Sequence, residues 1–315
     1  MVAPPPPAGR PVDVVGIGAT SVDSVYLLPS GPGSPGFPPK VRIGGRFVSC
    51  GGQIATALAT CARMGLRARL ASVIGSDDNG RRVRDELRDL GVDVNDAVVR
   101  DAPNQCAIVL VDRRTGERTV LWDRDERLML QDGDLRPHLF GAARVVHVDD
   151  VDEEGAIRSA EAARAAGTPV TSDIDRVTDR TAALVQAVTF PIFAEHVPQA
   201  LTGLSDAGKA LRALRTLHRG VMCVTLGARG AIAIEGDRLL HSPGFAVEAL
   251  DTTGAGDVFR AGFIYGYLKG FALDEILRFA NAAAALSCTR LGAMASVPSV
   301  QEVERLMAAA GAVGP

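Results

Sequence analysis

DTTGAGDVFRAG, residues 251–262, sets Gly254, Ala255 and Gly256 directly ahead of a carboxylate, Asp257, where an apolar helical pattern begins. From 255 to 269 the residues Val258, Ala261, Gly262, Tyr265 and Leu268 recur at helical spacing, and Gly270 supplies a stop. The three small residues therefore fall at a helix N-terminus, where backbone N–H groups lack intrahelical acceptors and the positive end of the helix dipole lies. Small side chains let an anionic oxygen come close to that backbone. A first-turn carboxylate would favour the dipole by roughly 0.3–1 kcal/mol without any function. Such a cap accounts for Asp257 but not for the three small residues before it. An anion site with a carboxylate beside it suits phosphoryl transfer. The backbone holds the transferring group and Asp257 takes the proton of the attacking hydroxyl.

Outward from this motif, strand and helix patterns alternate. VDVVGIGAT (12–20) is a short β-branched run ending in glycine, a buried first strand. GGQIATALATCARMG reads as a helix with Ile54, Ala57, Leu58 and Cys61 on one face and Gly65 as its stop. ARLASVIG reads as a single strand, and DDNGRRVRDELRDLGVDV as a turn and an amphipathic helix that ends at Gly91. ARVVHVD and PVTSDID are strands around the helix EEGAIRSAEAARAAG, and Ala-rich FANAAAALSCTRLGA is the last helix. This pattern predicts an α/β fold, a mostly parallel sheet covered on both faces. Two β-rich stretches break it, roughly 20–50 and 104–124, the second reading as a hairpin that turns at Thr115-Gly116. Two such insertions could pair with each other as a small lid sheet. MVAPPPPAGRP, residues 1–11, is expected to be a disordered tail, because its prolines forbid a helix. Residues 12–315 then form one domain.

Bulk properties narrow the function. A chain of 315 residues with 47% apolar and 23% charged residues and a net charge of −3 is an ordinary soluble composition with no polyanion-binding signal. Nucleic acid is therefore not an expected partner. No apolar run reaches the roughly 18 residues of a membrane span, and the N-terminus has no signal-peptide pattern. Cys50, Cys61, Cys106, Cys223 and Cys288 are scattered and odd in number, which fits free thiols in a reducing cytoplasm. No His, Cys or acidic cluster has zinc spacing.

Other motifs carry both a functional and a plain reading. GIGATS, after the first strand, lacks the third glycine of a dinucleotide fingerprint. The prolines at 29, 32, 35, 38 and 39 leave no helix to receive a pyrophosphate. Asp23 lies just past the first strand's C-terminal end, where open α/β sheets bind ligands, although a lone Asp there is also a common turn former. Gly51-Gly52 permits close approach of a ligand or serves as a connecting turn, and it stands where a lid would hinge. TLGARG, 225–230, is either a hairpin or a stretch of backbone beside a nucleotide phosphate.

Taken together, DTTGAGDVFRAGFI and the pair GGQIATALATCARMG and IGSDDNGRRVRDELRDLGVDV resemble the two signatures of the ribokinase-like (PfkB) carbohydrate kinases, over nearly the whole chain after residue 11. The insertions RTGERTVLWDRDERL and LRFANAAAALSCTRLGA particularly resemble ketohexokinase-type members. The resemblance implies a three-layer αβα core with a small β-sheet lid. It implies transfer of the ATP γ-phosphate, with Mg²⁺, to a hydroxyl of a small sugar of ketohexose or pentose type. It implies Asp257 as general base, with Gly254, Ala255 and Gly256 as the anion hole. Asp23, Gly51, Gly52, Gln53 and Thr56 would meet the sugar. Thr225, Gly227, Gly230, Asn281 and Ala284 would flank ATP. Asp251 and Thr253 match positions whose carbonyls hold a monovalent cation such as K⁺ in several members, though not in all, and Asp173 matches an acidic residue near the phosphates.

Two departures stand out. Gln53 and Thr56 replace the asparagines of the usual GGNxxN, which implies an altered sugar preference. AEHV, 194–197, replaces the NxxE linked to Mg²⁺ through water, with Glu195 as a neighbouring substitute. A nucleoside kinase of the same fold is the alternative, with Tyr26, Phe47 and Trp122 as stacking candidates. A non-catalytic sugar or nucleotide sensor is another. Exposed lid edges invite pairing between subunits, so a homodimer through the lid is expected.

Overall fold

The computed structural model describes residue 2, residues 4–115 and residues 118–312. The chain opens with β1 (Val12–Ile17); β2 (Ser21–Leu28) and β3 (Gly45–Gly51) then leave the core before α1 (Gln53–Arg63) returns to it. β4 (Ala68–Leu70), β5 (Val73–Gly75), α2 (Asp78–Asp89) and β6 (Val98–Arg100) precede a second excursion, β7 (Cys106–Asp112) and β8 (Arg118–Asp123). Next come α3 (Pro137–Ala142), β9 (Ala143–Asp149), α4 (Glu153–Ala165), β10 (Val170–Asp173), α5 (Thr181–Ala187), β11 (Ile192–Phe193), α6 (His196–Thr202) and α7 (Ala207–Ala213). The chain finishes with β12 (Met222–Thr225), β13 (Ala231–Glu235), β14 (Arg238–Ser242), α8 (Ala255–Lys269), α9 (Leu273–Ser287) and α10 (Val300–Ala312).

β10, β9, β1 and β4 lie side by side, all parallel. Bridges from Thr171 to Phe190 and from Ile174 to Phe193 carry the sheet on to β11 and its parallel neighbour β12, after which β13 and β14 run antiparallel. Val14 and Val145 are in register and join the core formed with α1, α8 and α9. Val15 and Val146, also in register, join the core formed with α4 and α5. Both faces of the sheet are covered, which is why β1 and β9 are buried along their whole length. Fully buried side chains such as Leu58 and Phe263 each contribute about 1.5–3 kcal/mol to holding the layers together. α8 and α9 pack backbone to backbone: a Cβ on Gly262 would stand 2.8 Å from the Cα of Ala280.

The two excursions pair with each other. β2 and β7 are parallel neighbours, with β3 and β8 antiparallel on the outside, giving the order β3-β2-β7-β8. The turn expected at Thr115-Gly116 falls partly outside the described residues, since Gly116 is not among them. Asn104 ties this sheet's entry points to the core. Its Oδ1 accepts from Gly75 N–H at 3.1 Å and from Thr20 Oγ1 at 3.3 Å, and its Nδ2 donates to Thr20 O at 3.1 Å.

Three parts of the chain differ from the sequence-based expectation or extend it. ARLASVIG is two strands, because the run changes partner midway: β4 pairs with β1, while β5 pairs with β6. α10 follows α9, which was expected to be the last helix. In the stretch expected as a tail, Tyr267 Oη donates to Pro4 O at 3.4 Å, Arg144 Nε to Pro6 O at 3.0 Å, and Arg10 Nη1 to Thr168 Oγ1 at 2.6 Å.

Candidate active site

The C-terminal ends of the parallel strands converge with the N-termini of α1 and α8. Gly254 caps α8 in the left-handed region, at φ 79°, and no side chain caps this end. A Cβ on Gly254 would stand 3.0 Å from the Cβ of Ala293 and 3.2 Å from Cγ2 of Thr56. Gly52 caps α1 at φ 95°, and a Cβ there would strike Ala19 O at 2.6 Å. A Cβ on Gly51 would lie 3.3 Å from Asp23 Oδ2 and 3.5 Å from the Cβ of Ala293. Asp23, the diglycine, Thr56 and the α8 N-terminus thus gather around Ala293 and the Ala19–Thr20 crossing.

The electrostatics of this corner are unusual. Asp257, in the first turn of α8, is half-buried and within hydrogen-bond reach of Asp173 at the end of β10. Burial pushes the Asp257 carboxyl well above the usual range, and the neighbouring Asp173 adds to the rise. Asp173 also rises through burial, against the pull of Arg260, whose Nη2 lies 2.6 Å from its Oδ1. Asp149 sits next to Asp173 in register at the end of β9; its Oδ2 accepts from Ala19 N–H at 2.6 Å, and burial raises it to about 7. Asp23 is raised by burial, with a 2.7 Å hydrogen bond from Ser21 Oγ opposing. Thr56 Oγ1 is buried with no hydrogen-bond partner, an arrangement that costs about 1–3 kcal/mol. Gln53 opens α1 and is half-buried.

The nucleotide candidates form a second cluster. Thr225 ends β12, and its Oγ1 donates to Phe193 O at 3.3 Å. Gly227 and Gly230 follow in a tight turn, and a Cβ on Gly230 would meet Ser242 O at 2.1 Å. Asn281, on α9, donates from Nδ2 to Ser242 O at 2.9 Å and Pro243 O at 3.2 Å, so its amide holds the chain after β14. Ala284 is half-buried one turn further along α9. Beside them a cleft of about 550 Å³ is walled by Pro243, Phe245, Arg278 and Leu306, among others. The Asp251 carboxylate accepts from Thr253 N–H at 2.9 Å, Thr253 Oγ1 at 2.7 Å and Gly292 N–H at 2.9 Å, which braces the turn ahead of Gly254. Glu195 is exposed and paired with Arg229.

An uncapped helix N-terminus carrying a carboxylate, set at the edge of a parallel sheet beneath a small β-sheet, is the arrangement the two signatures imply. The profile described as "pfkB family carbohydrate kinase" matches residues 5–300. The chain belongs to the pfkB family. Over 81% of its length it is 27% identical to the ribokinase of Haemophilus influenzae, covering 86% of that protein. It is 28% identical to a nucleoside kinase of Methanothermobacter thermautotrophicus over 80% of this chain and 82% of that one. The structure of Arabidopsis thaliana ribokinase complexed with ribose and ATP superposes with a TM-score of 0.81 at 24% identity, covering 94% of this chain and 99% of the other, so the two share a fold. The protein is thus a sugar or nucleoside kinase of the pfkB family with the ribokinase-like fold. None of the helices among the described residues is long and apolar enough to cross a membrane.

In this pfkB kinase, sequence reasoning missed Asp149, Asp150 and Arg260. Asp149 ends a predicted strand and Asp150 lies just past it, the criterion already applied to Asp23. Arg260 is a charged residue within the otherwise apolar run 258–268, a pattern that marks a buried, paired guanidinium.

Proposed function

We propose that the protein transfers the γ-phosphoryl group of ATP–Mg²⁺ to a hydroxyl, primary by preference, of a small ketohexose- or pentose-type sugar. The carrying observation is the meeting of Asp23, Gly51-Gly52 and Thr56 with the uncapped α8 N-terminus that bears Asp257. The sugar lies between Asp23, Gly52 and Asp257. Asp257 accepts the proton of the attacking hydroxyl, while the backbone of Gly254, Ala255 and Gly256 faces the charge on the transferring phosphoryl group. Most of the acceleration comes from positioning and that electrostatic contribution. The small sheet covers the sugar and excludes water, which would otherwise compete as acceptor. The nucleotide runs along the Thr225–Gly230 turn toward the cleft beside Asn281.

Among the described residues no three His, Cys, Asp or Glu side chains gather to hold a metal. Magnesium would arrive with the nucleotide, carried by phosphate oxygens and water. A monovalent cation such as K⁺ would lie against the main chain of Asp251 and Thr253. The buried thiols of Cys50, Cys61 and Cys223 agree with a cytoplasmic setting.

A nucleoside acceptor is the second reading. By register, Asp23, Ala107 and Trp122 share one face of the small sheet with Val25 and Phe47, while Tyr26 takes the other. Two aromatic rings thus share the face that bears Asp23. A panel of ketohexoses, pentoses and nucleosides with ATP, Mg²⁺ and K⁺, read by ADP release, tests the proposal. Release with sugars supports it, release with nucleosides alone replaces it with the second reading, and no release with any acceptor makes the protein a sensor.

A further inference from the structure

Asp257 can act as a base only when it is free of a proton, yet the group it touches is another carboxylate. Two carboxylates in contact do not both ionise; they hold one proton between them. What decides its place here is Arg260, three residues after Asp257 on α8. Arg260 and Asp173 are each 3% exposed, and Nη2 of Arg260 lies 2.6 Å from Asp173 Oδ1. The same guanidinium underlies the anion turn: a Cβ on Gly256 would stand 2.7 Å from Nη1.

We infer that Arg260 is a positioning residue that keeps the negative charge on Asp173 and the shared proton on Asp257 in the resting enzyme, so that the base is armed only when that proton leaves for solvent. The cycle balances. Transfer puts the substrate hydroxyl's proton on Asp257, which restores the resting dyad, and one proton is released per turnover. The inference rests on Asp257 being the base of the proposed reaction.

The surroundings set the direction of each shift. Asp149 at the end of β9, Asp150 after it and Asp175 after β10 add negative charge and favour retention of the proton. Arg124, following β8, acts on Asp149, and Arg176 pairs with Asp150; both oppose it. His147 of β9 and Cys223 of β12 face Arg260 and are neutral. Burial, helped by Arg260, lowers the imidazole to about 3, and burial raises the thiol to about 12. Arg260 Nε and His147 Nε2 are both buried without a hydrogen-bond partner, so Arg260 keeps an incompletely satisfied positive charge beside the dyad.

The test is the pH profile of acceptor kcat/KM at saturating ATP–Mg²⁺. Asp173→Asn removes the like charge, and the acid limb moves down by about 1–2 pH units. Arg260→Met removes the cation, and the limb moves up by about 1 pH unit; Arg260→Lys brings it back toward wild type. A merely structural role lowers activity at every pH and leaves the limb in place. Infrared difference spectra of the wild-type protein provide a measurement that needs no Arg260 variant to fold. At neutral pH a protonated carboxyl stretch is present, and Asp257→Asn removes it. Full turnover by Asp257→Asn overturns the base reading itself. Loss of turnover in that variant, together with unshifted limbs in the others or no carboxyl stretch that Asp257→Asn removes, overturns this inference alone.

Discussion

In the proposed reaction Asp23 and Asp257 approach the acceptor from different elements, β2 and α8, and their tasks differ. Asp23, raised by burial at the foot of the small sheet, is assigned to sugar hydroxyls and takes no part in proton transfer. Asp23→Ala is therefore expected to raise the sugar KM by tenfold or more on the order of one or two lost hydrogen bonds and to leave the ATP KM within about twofold. Equal changes in both constants would remove Asp23 from the sugar site. At this scale the sequence was most informative where a residue type is forced by backbone geometry. Gly254-Ala255-Gly256 announced an approachable helix end, and both Gly52 and Gly254 adopt positive φ. It was least informative for partners. Nothing in the letters around Asp173 and Arg260 says that residues 87 positions apart in the chain meet inside one ion pair.

At the scale of elements, α8 does the most. It buries its apolar face against α1 and α9 and presents its N-terminus to the site. Gly254→Ala forces a side chain into the left-handed region and against Ala293 and Thr56. Calorimetry is expected to show a loss of roughly 1–2 kcal/mol, and kinetics a weaker grip on ATP; a variant as stable and active as wild type would deny the close approach. The element pattern was legible wherever one period ran unbroken, as in β1, α1, α2 and α4. It failed where a run changed neighbours, as ARLASVIG does between β4 and β5, and where a helix such as α10 lay beyond an already strong one. Pairing of the two insertions could be anticipated because two β-rich stretches inside an α/β alternation need partners; the parallel β2–β7 register could not.

For the whole molecule, stability and assembly follow from groups remote from the chemistry. Burial raises the Asp13 carboxyl, but hydrogen bonds from the Arg67 side chain and backbone and from Arg144 outweigh it and lower the group from 3.8 to about 2. A depressed carboxyl stabilises the fold above its unfolded-state value, and that contribution is lost as pH falls through the folded value. Asp13→Asn is expected to cost about 2 kcal/mol in denaturant melts at neutral pH, with the gap to wild type closing between about pH 4 and pH 2; a gap independent of pH would mean the pair contributes nothing. The edge strand β8 exposes Val120, Leu121 and Trp122 by 51%, 54% and 60%. The homodimer expected through the small sheet from the sequence predicts a dimer in sedimentation velocity that Val120→Glu with Trp122→Glu converts to a monomer; a wild-type monomer contradicts it. The central claim is that the α8 N-terminus and Asp257 together transfer a phosphoryl group from ATP to an alcohol. Its most direct measurement is ADP release by Asp257→Asn with the acceptor that wild type uses best. The account predicts a folded protein, with unchanged circular dichroism, whose turnover falls by roughly 10²–10⁴-fold; turnover near the wild-type rate would contradict it.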